Sequence, residues 1–185
     1  MKRHVEDIFS SYTVLNPAAS LFGVDVSSLK KLAGFENFIY GGLIDQKEVV
    51  LRFCHSSHRT QDEILAELDW VDFLMNRGAS VCGPIPSTNQ LLVEEIIVAD
   101  SSFFVSAFEK AKGAPVKTSE VDLKLYYRWG KATGELHRLT QSYQPSSSIT
   151  PRQDYLEMSS NQFANVLSDN IQLQQRVNSV IEHVA

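Results

Sequence analysis

The chain has 185 residues, a hydrophobic share of 43% and a formal net charge of −5. These values are typical of one sizeable folded domain or two small lobes and argue against a disordered chain. A basic surplus or stripe is missing, which argues against nucleic-acid binding, and no apolar run approaches the roughly 20 residues that a membrane span needs.

The sequence predicts a cytoplasmic protein. The N-terminal stretch "MKRHVEDIFSS" has two cations, but no apolar signal-peptide core follows them. Cys54 and Cys82 are the two cysteines and provide no disulfide framework, which fits a reducing compartment.

Residues 3–23 are predicted to form two short helices, the second beginning at Asn16-Pro17 because proline is tolerated in a first helical turn. Three runs rich in β-branched and aromatic residues follow: "SSLKKLAG", "NFIYGGLI" and "EVVLRFC". Only short turns separate these runs, so there is no room for crossover helices. They predict a three-stranded antiparallel meander.

A strong helix is predicted next. Thr60 can cap it, with Glu63 three residues later in a capping-box arrangement, and Gly78 can end it. Its predicted buried face is Ile64, Leu68, Val71 and Leu74 or Met75. The segment "GPIPS" predicts an extended connection, and "LLVEEIIV" with "SSFFVSAFE" predicts a hairpin that completes a five-stranded sheet.

Helices alone are predicted after the seam near Gly113. One begins at Ser119 and another covers Ser160 to Ala185. The first carries an apolar stripe made of Val121, Leu125, Trp129, Ala132, Leu136 and Leu139. This segregation of strands and helices favours an α+β fold with N-terminal helices in 1–26, a sheet lobe in 27–112 and a partial helical lobe in 113–185.

Three kinds of site compete near the end of the third strand. Cys54, His55 and His58 could hold a metal, but a zinc site needs three or four ligands and a second cluster is missing. Cys54 as a nucleophile would need an open, electropositive setting, whereas it ends an apolar strand. The third hypothesis is that Glu67 orients Arg52 to bind a phosphate; the alternative is an ordinary surface ion pair of little energy.

The order of these motifs resembles the small-molecule kinase family that includes aminoglycoside and choline phosphotransferases, which has the protein-kinase-like fold. "GFENFIYGG" resembles its nucleotide-covering hairpin, and "VVLRF" resembles its third strand. "AELDWVDFLMNRGASVCGPIPS" is similar to its helix and the run that follows. "FFVSAFEKAKG" resembles the strand and hinge beside adenine, and "YRWGKATGELHRLT" resembles the helix that opens the second lobe.

The resemblance implies an ATP-dependent phosphotransferase that acts on a hydroxyl of a small metabolite or an aminoglycoside-like acceptor, with Mg²⁺ expected from the complete family member. The nucleotide-binding residues that it implies are Gly34, Asn37, Arg52, Glu67, Phe108, Glu109 and Lys110. It implies neither a nucleic-acid partner nor a membrane, and it does not distinguish ATP from GTP.

The sequence departs from this family at the catalytic loop. A His-x-Asp motif with a downstream Asn does not occur in it, so no catalytic residue is assigned. We therefore expect an N-terminal portion of such a kinase, inactive alone; the alternative is a non-catalytic nucleotide- or protein-binding module. The apolar stripes on the C-terminal helices are expected to be partly exposed to solvent, which predicts a homodimer through these helices.

Overall fold

The computed structural model describes residues 8–32, 34, 36–114, 116–117, 119, 121–150 and 170–184. The chain divides into two compact units, residues 1–150 and 151–185. In the described part, the helices are α1 (Asn16–Leu21), α2 (Gln61–Asn76), α3 (Leu123–Thr140) and α4 (Ile171–Val184). The strands are β1 (Lys30–Lys31), β2 (Phe38–Ile44), β3 (Lys47–His55), β4 (Pro84–Ile85), β5 (Glu94–Val98) and β6 (Ser101–Glu109).

The strands form a six-stranded sheet in which each neighbouring pair is antiparallel. The predicted meander is confirmed as β1, β2 and β3, and the predicted hairpin as β5 and β6. β6 lies beside β3, while β4 and β5 share its other edge. β4 is an addition to the five predicted strands. It lies in the segment predicted as an extended connection, and the extended geometry that proline favours also suits an edge strand.

The first strand is shorter than predicted. Val26–Ser28 form a 3₁₀ turn because the carboxylate of Asp25 accepts a hydrogen bond from the N–H of Ser27 at 2.9 Å. An aspartate that bonds the backbone two residues later favours a turn over a strand. Only Lys30–Lys31 therefore pair with β2.

The N-terminal helix is continuous across the predicted break. Ser11–Leu15 wind as a π-helix, and α1 follows directly with proline in its first turn. The predicted restart at Asn16-Pro17 is thus a change of helical winding rather than a gap. Residues 3–7 of the predicted first helix lie outside the described residues.

Alternate residues of β3 face different layers. Val49, Leu51 and Phe53 belong to a core that includes side chains of the N-terminal helix. Cys54 belongs to a second core with Ile64 and Leu68 of α2. Because side chains alternate along a strand, the even-numbered residues of β3 point towards α2. We call this side of the sheet the α2 face.

Both ends of α2 match the predicted signals. The Thr60 hydroxyl accepts the N–H of Glu63 at 3.2 Å, and a Glu63 carboxylate oxygen accepts the N–H of Thr60 at 2.9 Å. At the other end, Gly78 has a φ of +80°, and the N–H of Ala79 donates to the carbonyl of Leu74 at 3.0 Å. This is the Schellman arrangement, which closes the helix where glycine can turn the chain.

The helices after the sheet differ from the prediction mainly at their starts. α3 begins at Leu123 rather than Ser119 because the Asp122 carboxylate caps it, accepting the N–H of Leu125 at 2.6 Å. α4 covers part of the predicted last helix, of which residues 160–169 and 185 lie outside the described part. None of the described helices is long and apolar enough to cross a membrane.

Candidate functional site

Arg52 lies in the middle of β3 and projects onto the α2 face. Its cross-strand neighbours are Ile39 on β2 and Ser106 on β6. Arg52 Nη1 donates to Glu67 Oε1 of α2 at 2.5 Å. The predicted ion pair is therefore present, with 18% of the Arg52 side chain and 30% of the Glu67 side chain exposed.

Further contacts fix the Arg52 guanidinium. Its Nε donates to the hydroxyl of Ser106 at 3.3 Å, and Ser106 is only 1% exposed. The guanidinium carbon lies 5.0 Å from the centre of the Phe108 ring, a cation–π distance. Nη2 is buried and has no hydrogen-bond partner among the described residues. A buried donor without a hydrogen-bond partner is energetically costly.

Apolar side chains lie on the same face beside Arg52, and the sequence analysis missed them. Val50 lies two residues before Arg52 on β3, and Ile39 pairs with Arg52 across the sheet. Leu32 joins them, since its N–H donates to the carbonyl of Ile39 at 2.8 Å. Leu32 is 39% exposed, and Ile39 and Val50 are half-buried. Only the strand register, which the sequence leaves open, brings these three residues together.

Gly34 and Asn37 flank the connection between β1 and β2. A Cβ atom on Gly34 would lie 2.2 Å from the carbonyl oxygen of Asn37, so only glycine fits without a backbone shift. The requirement for glycine at this hairpin is thus steric. That these two residues approach a phosphate stays a prediction.

The end of β6 holds the remaining predicted residues. Phe108 packs under Arg52, as above, whereas Glu109 and Lys110 are exposed. The N–H of Glu109 donates to Gly83 at 3.0 Å, and the N–H of Lys110 donates to the carbonyl of Glu48 at 3.3 Å. Both N–H groups are thus already bonded within the chain. A hydrogen bond to an adenine base at this position would need a carbonyl oxygen or the backbone of later residues.

A cavity of about 420 Å³ lies at this end of the sheet, between the first strands and the end of β6. Its lining includes Lys30, Leu32, Gly41, Glu48 and Lys110. Lys110 also pairs with Glu48. Leu32, which lies in the same cross-strand row as Arg52, is thus also part of this cavity lining.

The competing sites near the end of β3 gain no support from the geometry. Burial raises the pKa of the Cys54 thiol, although the charge of Arg52 opposes this, and the side chain is 4% exposed. A buried thiol with a raised pKa is a poor nucleophile. Across the part of the chain that the structure describes, no three side chains of the metal-binding types come together.

An antiparallel sheet with one capped helix, joined by a strand cation and a helix carboxylate, is the arrangement of the N-terminal lobe of the protein-kinase-like fold. The model of the APH phosphotransferase enzyme family matches residues 30–184. The chain therefore belongs to the phosphotransferase enzyme family.

Individual relatives agree with this assignment. Amicoumacin kinase of Bacillus subtilis (strain 168) is 33% identical over 156 residues, which are 84% of this chain and 46% of that protein. The solved structure of an amicoumacin kinase in complex with AMP-PNP, Ca²⁺ and Ami superposes with a TM-score of 0.83 at 27% identity. That match covers 100% of this chain and 56% of the other.

A microcompartment-associated aminopropanol kinase shares the fold, with a TM-score of 0.67 at 23% identity over 86% of this chain and 48% of its own. The chain thus spans about half the length of the relatives that it matches.

Proposed function

We propose that this chain is the nucleotide-binding portion of an ATP-dependent small-molecule phosphotransferase. The observation that carries the proposal is the fixed guanidinium of Arg52, with Glu67, Ser106 and Phe108 around it and a buried Nη2 that lacks a partner among the described residues. A planar guanidinium held in this way matches phosphate oxygens. The relative whose structure contains AMP-PNP supports a nucleotide as the ligand.

The α2 face suits both ends of such a ligand. Leu32, Ile39 and Val50 are proposed to offer an apolar surface for the base. Ile39 lies directly across from Arg52 and Val50 lies two residues before it on β3, so Arg52 borders this surface and would bind the phosphates. Gly34 and Asn37 at the hairpin, and Phe108, Glu109 and Lys110 at the end of β6, are proposed to flank the two ends. Bound ATP would supply the phosphoryl group and Mg²⁺ would neutralise its charge, while this chain's own residues orient the nucleotide.

The acceptor is proposed to be a hydroxyl of a small metabolite or an aminoglycoside-like compound. The relatives named as kinases of amicoumacin and aminopropanol support a small-molecule acceptor in general. Location in the cytoplasm is also a proposal, supported by two free cysteines in the described part.

The proposal is tested by titrating the 185-residue chain with Mg·ATP and, separately, with adenosine. Arg52→Ala should weaken ATP binding by about ten- to hundredfold, the range for a hydrogen bond to a charged group, and leave adenosine binding unchanged. Arg59→Ala is the matched control, since Arg59 is exposed, precedes α2 and pairs only with Glu63 in the described part. Equal losses for ATP and adenosine, or no binding of ATP by the unaltered chain, would contradict the proposal.

We further propose that this chain alone transfers no phosphoryl group, because its sequence lacks a His-x-Asp loop. Phosphoryl transfer needs a group that orients the attacking hydroxyl and groups that hold the metal. The purified chain incubated with radiolabelled ATP and amino alcohol or aminoglycoside acceptors should give no labelled product. A labelled acceptor that depends on Arg52 would refute this.

A further inference from the structure

Helix α2 is also held on the side away from the sheet. Thr140, the last residue of α3, and residues 141–150 after it cross this side, and we call residues 140–150 the clamp segment. The Asp69 carboxylate accepts three hydrogen bonds from it: from the hydroxyl of Tyr143 at 2.7 Å, from the N–H of Ser146 at 3.2 Å and from the Ser146 hydroxyl at 2.5 Å. Next to it, Trp70 Nε1 donates to the hydroxyl of Thr140 at 3.0 Å.

Contacts of the clamp segment run along the whole helix. The Thr150 hydroxyl donates to Asp62 at 3.3 Å in the first turn, and Arg77 donates to the Ser142 hydroxyl at 3.4 Å just past the last turn. Between them, the Tyr143 ring packs edge-on against Phe73 with centres 5.2 Å apart. The segment is therefore fastened to α2 along its length, and Asp69 accepts three of these six hydrogen bonds.

The clamp segment and the sheet hold opposite sides of α2. Successive residues of an α-helix are rotated by about 100°, so Glu67 and Asp69 lie about 200° apart around the helix axis. Glu67 faces Arg52 of the sheet, and Asp69 faces the clamp segment. Because α2 is held on both sides, it cannot rotate about its axis or move away from the sheet without breaking its contacts with the sheet or with the clamp segment.

We propose that Asp69 is a positioning residue: the clamp segment, bound to its carboxylate, presses α2 onto the sheet so that Glu67 meets Arg52. The inference rests on the proposed function, because the readout of the pair is nucleotide-phosphate binding. In kinase-like folds a strand cation–helix carboxylate pair has to be in place, and the position of the helix controls it. A shift of 1–2 Å, the usual scale of a helix movement, is enough to separate Glu67 from Arg52.

The test compares Asp69→Asn and Tyr143→Phe with the unaltered chain in titrations with Mg·ATP and with adenosine. Both variants should weaken ATP binding by about fivefold or more, the lower range of coupling between two sites, and leave adenosine binding unchanged. Tyr143→Phe keeps the ring on Phe73 and removes only a hydroxyl, so it guards against a folding defect of Asp69→Asn. Asp72→Asn is the charge-matched control, since the Asp72 carboxylate accepts a hydrogen bond at 2.8 Å from Asn76 of the same helix rather than from the clamp segment.

A double-mutant cycle with Glu67→Gln separates positioning from a general structural role. If Asp69 acts through Glu67, Asp69→Asn should have little further effect on ATP affinity once Glu67 is already changed. The same cycle is measured by urea unfolding, where the effects of the two substitutions on the free energy of unfolding should also be non-additive. Additive effects in both cycles, or unchanged ATP affinity in both clamp variants, would overturn the inference.

These results distinguish the inference from the proposed function. Failure of the unaltered chain to bind ATP would contradict the proposed function. The urea cycle alone would then test the role of Asp69: non-additive stability effects of Asp69→Asn and Glu67→Gln would support it, and additive effects would overturn it. Normal ATP binding by the unaltered chain with no response to the clamp variants would overturn the inference and leave the proposed function standing.

Discussion

At the scale of single residues, the environment of Arg52 distinguishes it from an ordinary surface cation. An exposed ion pair contributes about 0–1 kcal/mol to stability, so the pair with Glu67 alone would carry little meaning. Here the guanidinium also contacts a buried hydroxyl and an aromatic ring, and one nitrogen is buried without a partner in the described part. These contacts fix the direction of the charge, and a fixed charge suits ligand binding more than it suits stability.

Ser106→Ala tests this orientation. Loss of the hydroxyl leaves Arg52 Nε without its partner, and we expect ATP affinity to fall about two- to tenfold, as for one net hydrogen bond. Ser102→Ala on the same strand is the control, since the Ser102 hydroxyl donates to Glu95 at 2.5 Å, away from Arg52. Isothermal titration calorimetry measures both variants, and identical affinities would show that the Ser106 contact has no role in binding.

Asp69 predicts a pH dependence of stability. Partial burial raises the pKa of Asp69, but hydrogen bonds from Ser146 and Tyr143 outweigh burial and set the pKa below its ordinary value. A depressed folded-state pKa stabilises the fold above the unfolded pKa of about 3.9, and this stabilisation is lost as the pH falls through the folded value.

The measurement is urea unfolding of the unaltered chain and of Asp69→Asn from pH 7 to pH 3. The stability difference should be constant above about pH 5 and shrink as the pH falls further, because Asp69 is protonated first in the unfolded chain and only at lower pH in the folded chain. Arg77, Asp72 and Tyr143 line the same surface cavity as Asp69. They are present in both proteins, so their own titration contributes equally to both stability curves. A difference that does not change over the whole pH range would contradict a depressed pKa.

At the scale of elements, replacing a glycine inside a helix and a glycine that ends a helix should change stability in opposite directions. Gly134 lies inside α3, where an added Cβ meets no described atom within 4 Å, so Gly134→Ala should stabilise the chain by about 0.5–1 kcal/mol. Gly78 ends α2 with a φ of +80°, which L side chains rarely adopt, so Gly78→Ala should destabilise it by about 1 kcal/mol. Urea unfolding measures both, and shifts of the same sign would contradict the assigned helix boundaries.

The elements also show what local signals can predict. Capping at Thr60 and Glu63 and the glycine stop at Gly78 depend on neighbours in the chain, and the sequence predicted them. The 3₁₀ turn after Asp25 and the start of α3 at Asp122 were missed, because an aspartate can cap a turn or simply be solvated. The residue pattern offered the Arg52–Glu67 pair as one of three hypotheses, and the family resemblance then favoured it.

Contacts between distant segments could not be predicted in this way. Ser106 reaches Arg52 only through the register of β6 on β3, and Asp69 meets the clamp segment across more than 70 residues of chain. Nothing in the residues around Asp69 signals such a partner. Asp62, Asp69 and Asn76 recur every seven residues along α2, but a solvated helix face has the same pattern of polar residues.

At the scale of the whole molecule, the exposed apolar side chains of α3 predict self-association. Leu123 is 86% exposed, Tyr127 73% and Trp129 67%, and α4 exposes 67% of Ile171. Sedimentation velocity over a concentration series should show a dimer, and Trp129→Glu should shift the chain towards monomer, whereas Lys131→Glu, on the same helix, should have a smaller effect. A strictly monomeric chain at high concentration would contradict the prediction.

The most direct test of the central claim observes Arg52 itself. In ¹⁵N-labelled chain, the Nε–H signal of Arg52, assigned by its loss in Arg52→Lys, is followed by NMR during titration with Mg·ATP and with adenosine. If the guanidinium binds the nucleotide phosphates, this signal should move and saturate with ATP and stay in place with adenosine. An unmoved Arg52 signal at saturating ATP, with shifts elsewhere in the chain, would contradict the claim.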